Sequence, residues 1–81
     1  MSNHEQLRQL ILDILLLGPE EYSLELCRDQ VETWDSLSVV SIAVGLNETF
    51  GYHPTPSEAT AIHCVNDVIS LLEAKGISFG D

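Results

Sequence analysis

The sequence predicts an all-α fold, a small four-helix bundle of three longer helices and one short helix, with a long loop between the first and second helices. Aliphatic residues recur at helical spacing in three segments, and proline or glycine marks the boundaries between them. With 81 residues, 44% of them hydrophobic, the chain can bury one small core. We therefore expect a single domain over residues 1–81, stabilised mainly by helix packing.

The first helix is predicted from a stripe of five aliphatic side chains at i, i+3, i+4, i+7 and i+8: Leu7, Leu10, Ile11, Ile14 and Leu15. It should run from about Asn3 to Leu17. Ser2 or Asn3 can cap its start. Gly18 and Pro19 are typical of a helix end.

Residues 18–35 show no sustained period, and a loop of this length is unusual in so small a domain. We predict a loop with room for a short helical turn. Scattered apolar side chains should pin it to the core: Tyr22, Leu24, Leu26, Val31 and Trp34. Trp34 should anchor the end of the loop on the bundle rather than contact a ligand.

The second helix is predicted over about Ser36 to Phe50, stopping at Gly51, from the stripe Val39, Ile42, Ala43, Leu46 and Phe50. A second apolar row, Leu37, Val40 and Val44, lies on another side of the same helix. Two interpretations stay open: the helix is buried on both sides, or the second row docks a partner. Gly45 costs about 1 kcal/mol of helix stability relative to alanine. It would allow a partner or a bound group to approach closely.

Pro54 and Pro56 predict a break after the second helix. Ser57 with Glu58 then offers a start for a short helix to about Ile62. A last stripe, ending at Lys75 and Gly76, predicts the fourth helix: Val65, Val68, Ile69 and Leu72.

The charge is strongly acidic, with 13 acidic and three basic residues and a formal net charge of −10. Nucleic acids and anionic lipid surfaces should repel such a domain, so its partners should be basic. The apolar stretch from Ile11 to Leu17 is interrupted by Asp13, and Arg8 is the only positive charge upstream. We expect a cytoplasmic protein without a membrane span.

No cluster of residues predicts catalysis or metal binding. Cys27 and Cys64 are too few for a disulfide framework and lack ligand spacing, and we expect Cys64 to be a small, partly buried residue at the start of the last helix. The chain also lacks a Ser-His-Asp order, a metal motif and a glycine-rich phosphate loop. We predict that the protein is not an enzyme.

Ser36 has two interpretations, because either Asp35 or Ser36 could cap the second helix. The pair could be ordinary capping sequence. If Asp35 is the cap, Ser36 occupies the first helical position with a free hydroxyl. A phosphate ester on that oxygen would then lie at the positive end of the helix.

Taken together, the tripeptide Asp35-Ser36-Leu37 and the order of elements around it resemble the acyl carrier protein family over about residues 6–76. The other matching residues are Leu37, Val40, Leu46, Glu48, Phe50, Ile62 and Val65. The resemblance implies that Ser36 carries a 4'-phosphopantetheine arm, attached from coenzyme A by a phosphopantetheinyl transferase. The arm would hold acyl groups as thioesters for enzymes of fatty acid, polyketide or another acyl pathway.

The same resemblance implies a monomer that binds acyl-loading and acyl-processing enzymes. Basic patches on those enzymes would contact Leu37, Val40, Val44 and Glu48 of this chain. The acyl chain would enter the bundle interior between Val39, Ala43, Ile62 and Val68. Polar Ser38, Ser41, Asn47 and Thr49 stand where family members commonly carry acids. That departure favours a specialised member. Two alternatives are a stand-alone aminoacyl or peptidyl carrier and an acidic helical adaptor without an arm.

Overall fold

Four α-helices form the frame of the protein in a computed structural model, which describes residues 2–79. They are α1 (Asn3–Leu15), α2 (Ser36–Phe50), α3 (Pro56–Ala61) and α4 (Val65–Ala74). The predicted small bundle of three longer helices and one short helix is confirmed, and it measures 30 × 27 × 20 Å. Within residues 2–79, none of the helices combines the length and the apolar character needed to cross a membrane.

The three predicted stripes meet in one core. Leu10, Ile14, Phe50 and Ile69 are only partly buried and pack against its edge. The buried side chains of this core come from all four helices and from the loop: Leu7, Ile11, Leu15, Val31, Trp34, Val39, Ile42, Ala43, Leu46, Ala59, Ile62, Val65, Val68 and Leu72.

Helix α1 begins as predicted and ends earlier than predicted. The Ser2 hydroxyl accepts a hydrogen bond from the Glu5 amide at 3.1 Å. The helix ends at Leu15 because Leu16 adopts the left-handed conformation, with φ of 59°. The Leu17 amide then donates to the Leu12 carbonyl at 3.0 Å, and the Leu17 side chain packs against the core. The predicted stop at Gly18 and Pro19 was therefore wrong.

Helix α2 has the predicted bounds and ends at Gly51, which has a left-handed φ of 81°. Gly45 serves the packing of α1 against α2. A Cβ atom added there would lie 2.4 Å from Leu10 Cδ1 of α1. The space beside Gly45 is thus filled by α1, and the expected approach of a partner or bound group at this residue was wrong.

Helix α3 starts at a different cap from the predicted one. The Thr55 hydroxyl accepts from the Glu58 amide at 3.2 Å, while Glu58 Oε1 accepts from the Thr55 amide at 3.0 Å. This reciprocal pair is a capping box, and Pro56 fits the first helical position because it has no amide hydrogen to satisfy. Ser57 therefore lies inside the helix and is not its cap.

The loop from residue 16 to residue 35 contains two short 3-10 turns, Pro19–Glu21 and Arg28–Gln30, so the expected helical turn is confirmed. Trp34 is 3% exposed and anchors the end of the loop in the core, as predicted.

A disulfide joins Cys27, in the loop, to Cys64, which precedes α4. The two residues lie opposite each other in an antiparallel bridge. The Arg28 amide donates to the His63 carbonyl at 2.7 Å, and the Val65 amide donates to the Leu26 carbonyl at 2.9 Å. Cys64 is partly buried at the start of α4, as expected. Its bond to Cys27 was not predicted, because the fold brings together two cysteines that are 37 positions apart.

The disulfide should supply much of the stability of this small domain. In the chain-entropy treatment, closing a loop of this length stabilises the fold by about 4 kcal/mol. We expect reduction to lower the free energy of unfolding by about 3–4 kcal/mol, measured by urea denaturation. The Cys27→Ala/Cys64→Ala variant should match the reduced protein and be insensitive to reductant. Equal stability of the oxidised and reduced protein would contradict this account.

Candidate functional site

The segment at the start of α2 ties down nearly all of its polar side chains. Thr33 Oγ1 donates to the Leu15 carbonyl at 2.6 Å, and Ser38 Oγ donates to the Thr33 carbonyl. Asp35 is the N-cap, and its Oδ1 accepts from the Ser38 amide at 3.0 Å. The loop end, the end of α1 and the start of α2 are thereby locked together.

Ser36 is the exception in this segment. It is the first residue of α2 and is exposed, and its hydroxyl makes no hydrogen bond to any of residues 2–79. Of the two capping interpretations, the one in which Asp35 caps the helix is confirmed. The Ser38 amide that donates to the Asp35 carboxylate lowers the pKa of Asp35, so this side chain stays ionised at neutral pH.

A groove of about 270 Å³ opens beside Ser36, between α2 and α3. Ser36, Val39 and Val40 line one wall, and Arg28 of the loop also borders the groove. The opposite wall is formed by Pro56, Ala59 and Thr60. The exposed hydroxyl therefore stands at the edge of a largely apolar cleft.

The four residues predicted to part for an acyl chain are all buried, but they do not share one space. Val39 and Ile62 border a narrow void behind the groove, together with Trp34, Ile42 and Ala59. This void has no room for a water molecule. Ala43 and Val68 line neither the groove nor this void. The indole Nε1 of Trp34 is buried and has no hydrogen-bond acceptor among residues 2–79.

The predicted docking row lies on the outer side of α2. Leu37, Val40 and Val44 are 78%, 61% and 43% exposed, and Glu48 is exposed one turn further on. The interpretation in which α2 is buried on both sides was therefore wrong. These side chains form an apolar strip beside Ser36, and large exposed apolar residues in a row are typical of interaction surfaces.

Glu58 fixes the α3 wall of the groove. Its carboxylate accepts from the Thr55 amide and the Tyr52 hydroxyl and lies 3.5 Å from Lys75 Nζ. The Tyr52 hydrogen bond, followed by that from the Thr55 amide, lowers the pKa of Glu58 to about 2. The residues around α3 and the end of α4 are thus linked through one carboxylate.

Because the pKa of Glu58 is lower in the folded state, its contribution to stability is present above the ordinary pKa of 4.5 and is lost as the pH falls towards 2. We expect Tyr52→Phe to raise the pKa of Glu58 towards its ordinary value, measured by NMR titration of the Glu58 carboxyl carbon. Tyr22→Phe is the matched control, since that hydroxyl pairs with His4. An unchanged pKa in Tyr52→Phe would show that the Tyr52 hydrogen bond does not set it.

The sequence predicted the exposed positions of Ser36 and of the apolar row on α2, but it did not predict the rest of the groove. Arg28, Ala59 and Thr60 carry no motif, and they meet Ser36 only through the packing of the loop and α3. The one available signal was that Arg28 is among just three basic residues.

A scan against models of known protein families finds none that matches this chain.

Proposed function

We propose that the protein is a carrier whose Ser36 hydroxyl is the attachment point for a phosphopantetheine arm. The observation that carries the proposal is the free, exposed hydroxyl of Ser36. The neighbouring side-chain oxygens of Thr33, Asp35 and Ser38 all take part in hydrogen bonds. The Asp35 cap and the buried Trp34 hold that hydroxyl in place. The neighbouring groove leaves room for an attached group.

The arm supplies a thiol that holds an acyl group as a thioester. The protein's own residues supply the rest. Ser36 Oγ forms the ester bond to phosphorus and gives its proton to the transferase, while the nucleotide part of coenzyme A leaves. Asp35 satisfies the Ser38 amide, so that Ser36 is not needed as the helix cap. The chain itself contributes no catalytic residue in this proposal.

The docking row supports delivery to partner enzymes. Leu37, Val40 and Val44 offer exposed apolar contact beside the attachment residue, and Glu48 adds a negative charge on the same helix. The net charge of −10 would attract basic partner surfaces over a distance, which raises association rates. The polar residues around the row, such as Ser41, leave little local charge to match. This combination favours specialised partners.

Attachment can be tested by intact mass spectrometry. After incubation with coenzyme A and a broad-specificity phosphopantetheinyl transferase, the protein should gain the mass of one arm. Ser36→Ala should gain nothing, because it lacks the nucleophilic oxygen. Ser41→Ala, which removes another exposed hydroxyl of α2, should gain the arm as the natural chain does. No mass gain, or a gain that persists in Ser36→Ala, would refute the carrier proposal.

Partial sheltering of an acyl chain by Val39 and Ile62 is part of the proposal, and the chain would enter through the void that these two side chains border. Opening it would require α3 to move away from α2, with Ala43 and Val68 remaining as deeper packing. Trp34 is the single tryptophan of the chain and borders this void, so its indole resonance reports on entry.

We expect a long acyl chain on the arm to shift the indole N–H resonance of Trp34 in the proton NMR spectrum. A two-carbon acyl group should leave it in place, because it cannot reach beyond the groove. The comparison uses the same arm in both samples, so attachment itself is controlled. An indole resonance that is identical with the long and short chains would show that the chain stays outside.

Two other functions remain as outcomes of these experiments. An aminoacyl or peptidyl carrier would gain the arm and then accept an amino acid from an adenylating enzyme. An acidic adaptor would use the same exposed row, Leu37, Val40 and Val44, but would never gain the arm.

The cytoplasm is our proposed compartment, and monomer our proposed state. Disulfides persist mainly in oxidising compartments, so a cytoplasmic protein should hold Cys27 and Cys64 as thiols. Thiol trapping of Cys27 and Cys64 in intact cells would resolve this, because cytoplasmic protein should be alkylated without prior reduction.

A further inference from the structure

Arg28 occupies a fixed place at the border of the groove that Ser36 also lines. Its backbone amide donates to the His63 carbonyl at 2.7 Å, and its own carbonyl accepts from the Val31 amide at 3.1 Å. The preceding residue, Cys27, is held by the disulfide. The backbone that carries this half-buried arginine is therefore anchored on both sides.

Arg28 also differs from the other two basic residues in having an unused charge. The Arg8 guanidinium lies 5.9 Å from the centre of the Tyr22 ring, and Lys75 pairs with Glu58 and lies over Tyr52. The Arg28 side chain, by contrast, has no carboxylate, aromatic or hydrogen-bond partner in the part of the chain that the structure describes. This lack of a partner occurs in a chain that has 13 acidic residues.

Asp35, beside Ser36, makes no ion pair with Arg28. Asp35 directs its carboxylate to the Ser38 amide as a helix cap. An arginine that lines a mostly apolar groove can offer the several N–H donors of its planar guanidinium to an anion held in that groove. The anion that the proposed function would bring there is the phosphodiester on Ser36.

We propose that Arg28 is a positioning residue that binds the phosphodiester of an arm on Ser36 and directs the arm along the groove between α2 and α3. This inference rests on the proposed carrier function. By pairing with the phosphate, Arg28 favours arm conformations that lie over Val39 and Ala59 rather than in free solvent. Without Arg28 the arm should sample solvent more widely.

The test uses the full chain, before and after loading of the arm, with loading verified by mass. In proton–nitrogen spectra, the Nε–H resonance of Arg28 should shift on loading, while that of Arg8 should stay in place. In the loaded Arg28→Gln variant, the phosphorus resonance should move relative to the natural chain. Arg28→Lys should give an intermediate position, because it keeps the charge without the fork. Arg8→Gln is the matched control and should leave the phosphorus resonance unchanged.

The possible results distinguish a failure of the proposed Arg28 role from a failure of the proposed carrier function. A chain that gains no arm overturns both. A chain that gains the arm on Ser36, but shows no shift of the Arg28 Nε–H resonance and no phosphorus change in Arg28→Gln, overturns the role of Arg28 and leaves the carrier function standing. An unchanged melting temperature of Arg28→Gln shows that the variant is folded.

Discussion

The hydrogen bond from the Ser38 amide to the Asp35 carboxylate is the interaction on which the candidate site depends. A helix start leaves several backbone amides unpaired, and a serine beside them is commonly used to satisfy one. Here the aspartate does so, and Ser38 turns its own hydroxyl back to the Thr33 carbonyl. Ser36 is left at the first helical position with an exposed and unpaired hydroxyl. An ordinary capping sequence thereby presents a chemically available oxygen.

The groove beside that oxygen is formed partly by a short helix and a loop, and each of these is held in place by specific cross-links. Helix α3 has only six residues, and it is held by the Glu58 carboxylate, which links Thr55, Tyr52 and Lys75. The other border comes from the loop, which is tied to the start of α4 by a disulfide and main-chain hydrogen bonds. The α3 wall and the loop border of the groove therefore depend on contacts made outside α2, which are the Glu58 carboxylate for α3 and the disulfide with its neighbouring hydrogen bonds for the loop.

Much of the fold could be predicted because three aliphatic stripes have helical spacing, and the Ser36 region could be predicted because its capping residues are adjacent in sequence. The end of α1 could not, since packing of Leu17 makes Leu16 the left-handed residue although Gly18 is intrinsically better suited. Thr55 and Glu58 have the spacing of a capping box, so the start of α3 is encoded locally in the sequence. The disulfide and the place of Arg28 depend on contacts between distant segments, which carry no local signal.

The pH dependence of the Ser38 amide resonance is the most direct test of the central claim, which is that Asp35 and not Ser36 caps α2. Its proton resonance, followed by NMR from neutral pH to pH about 2, should move with one ionisation below the ordinary aspartate range, because the accepting carboxylate is being protonated. Asp35→Asn should keep the helix capped and abolish the transition. A Ser38 amide resonance that does not change as Asp35 is protonated would contradict the account. The Ser36 hydroxyl would then be the remaining candidate acceptor for that amide.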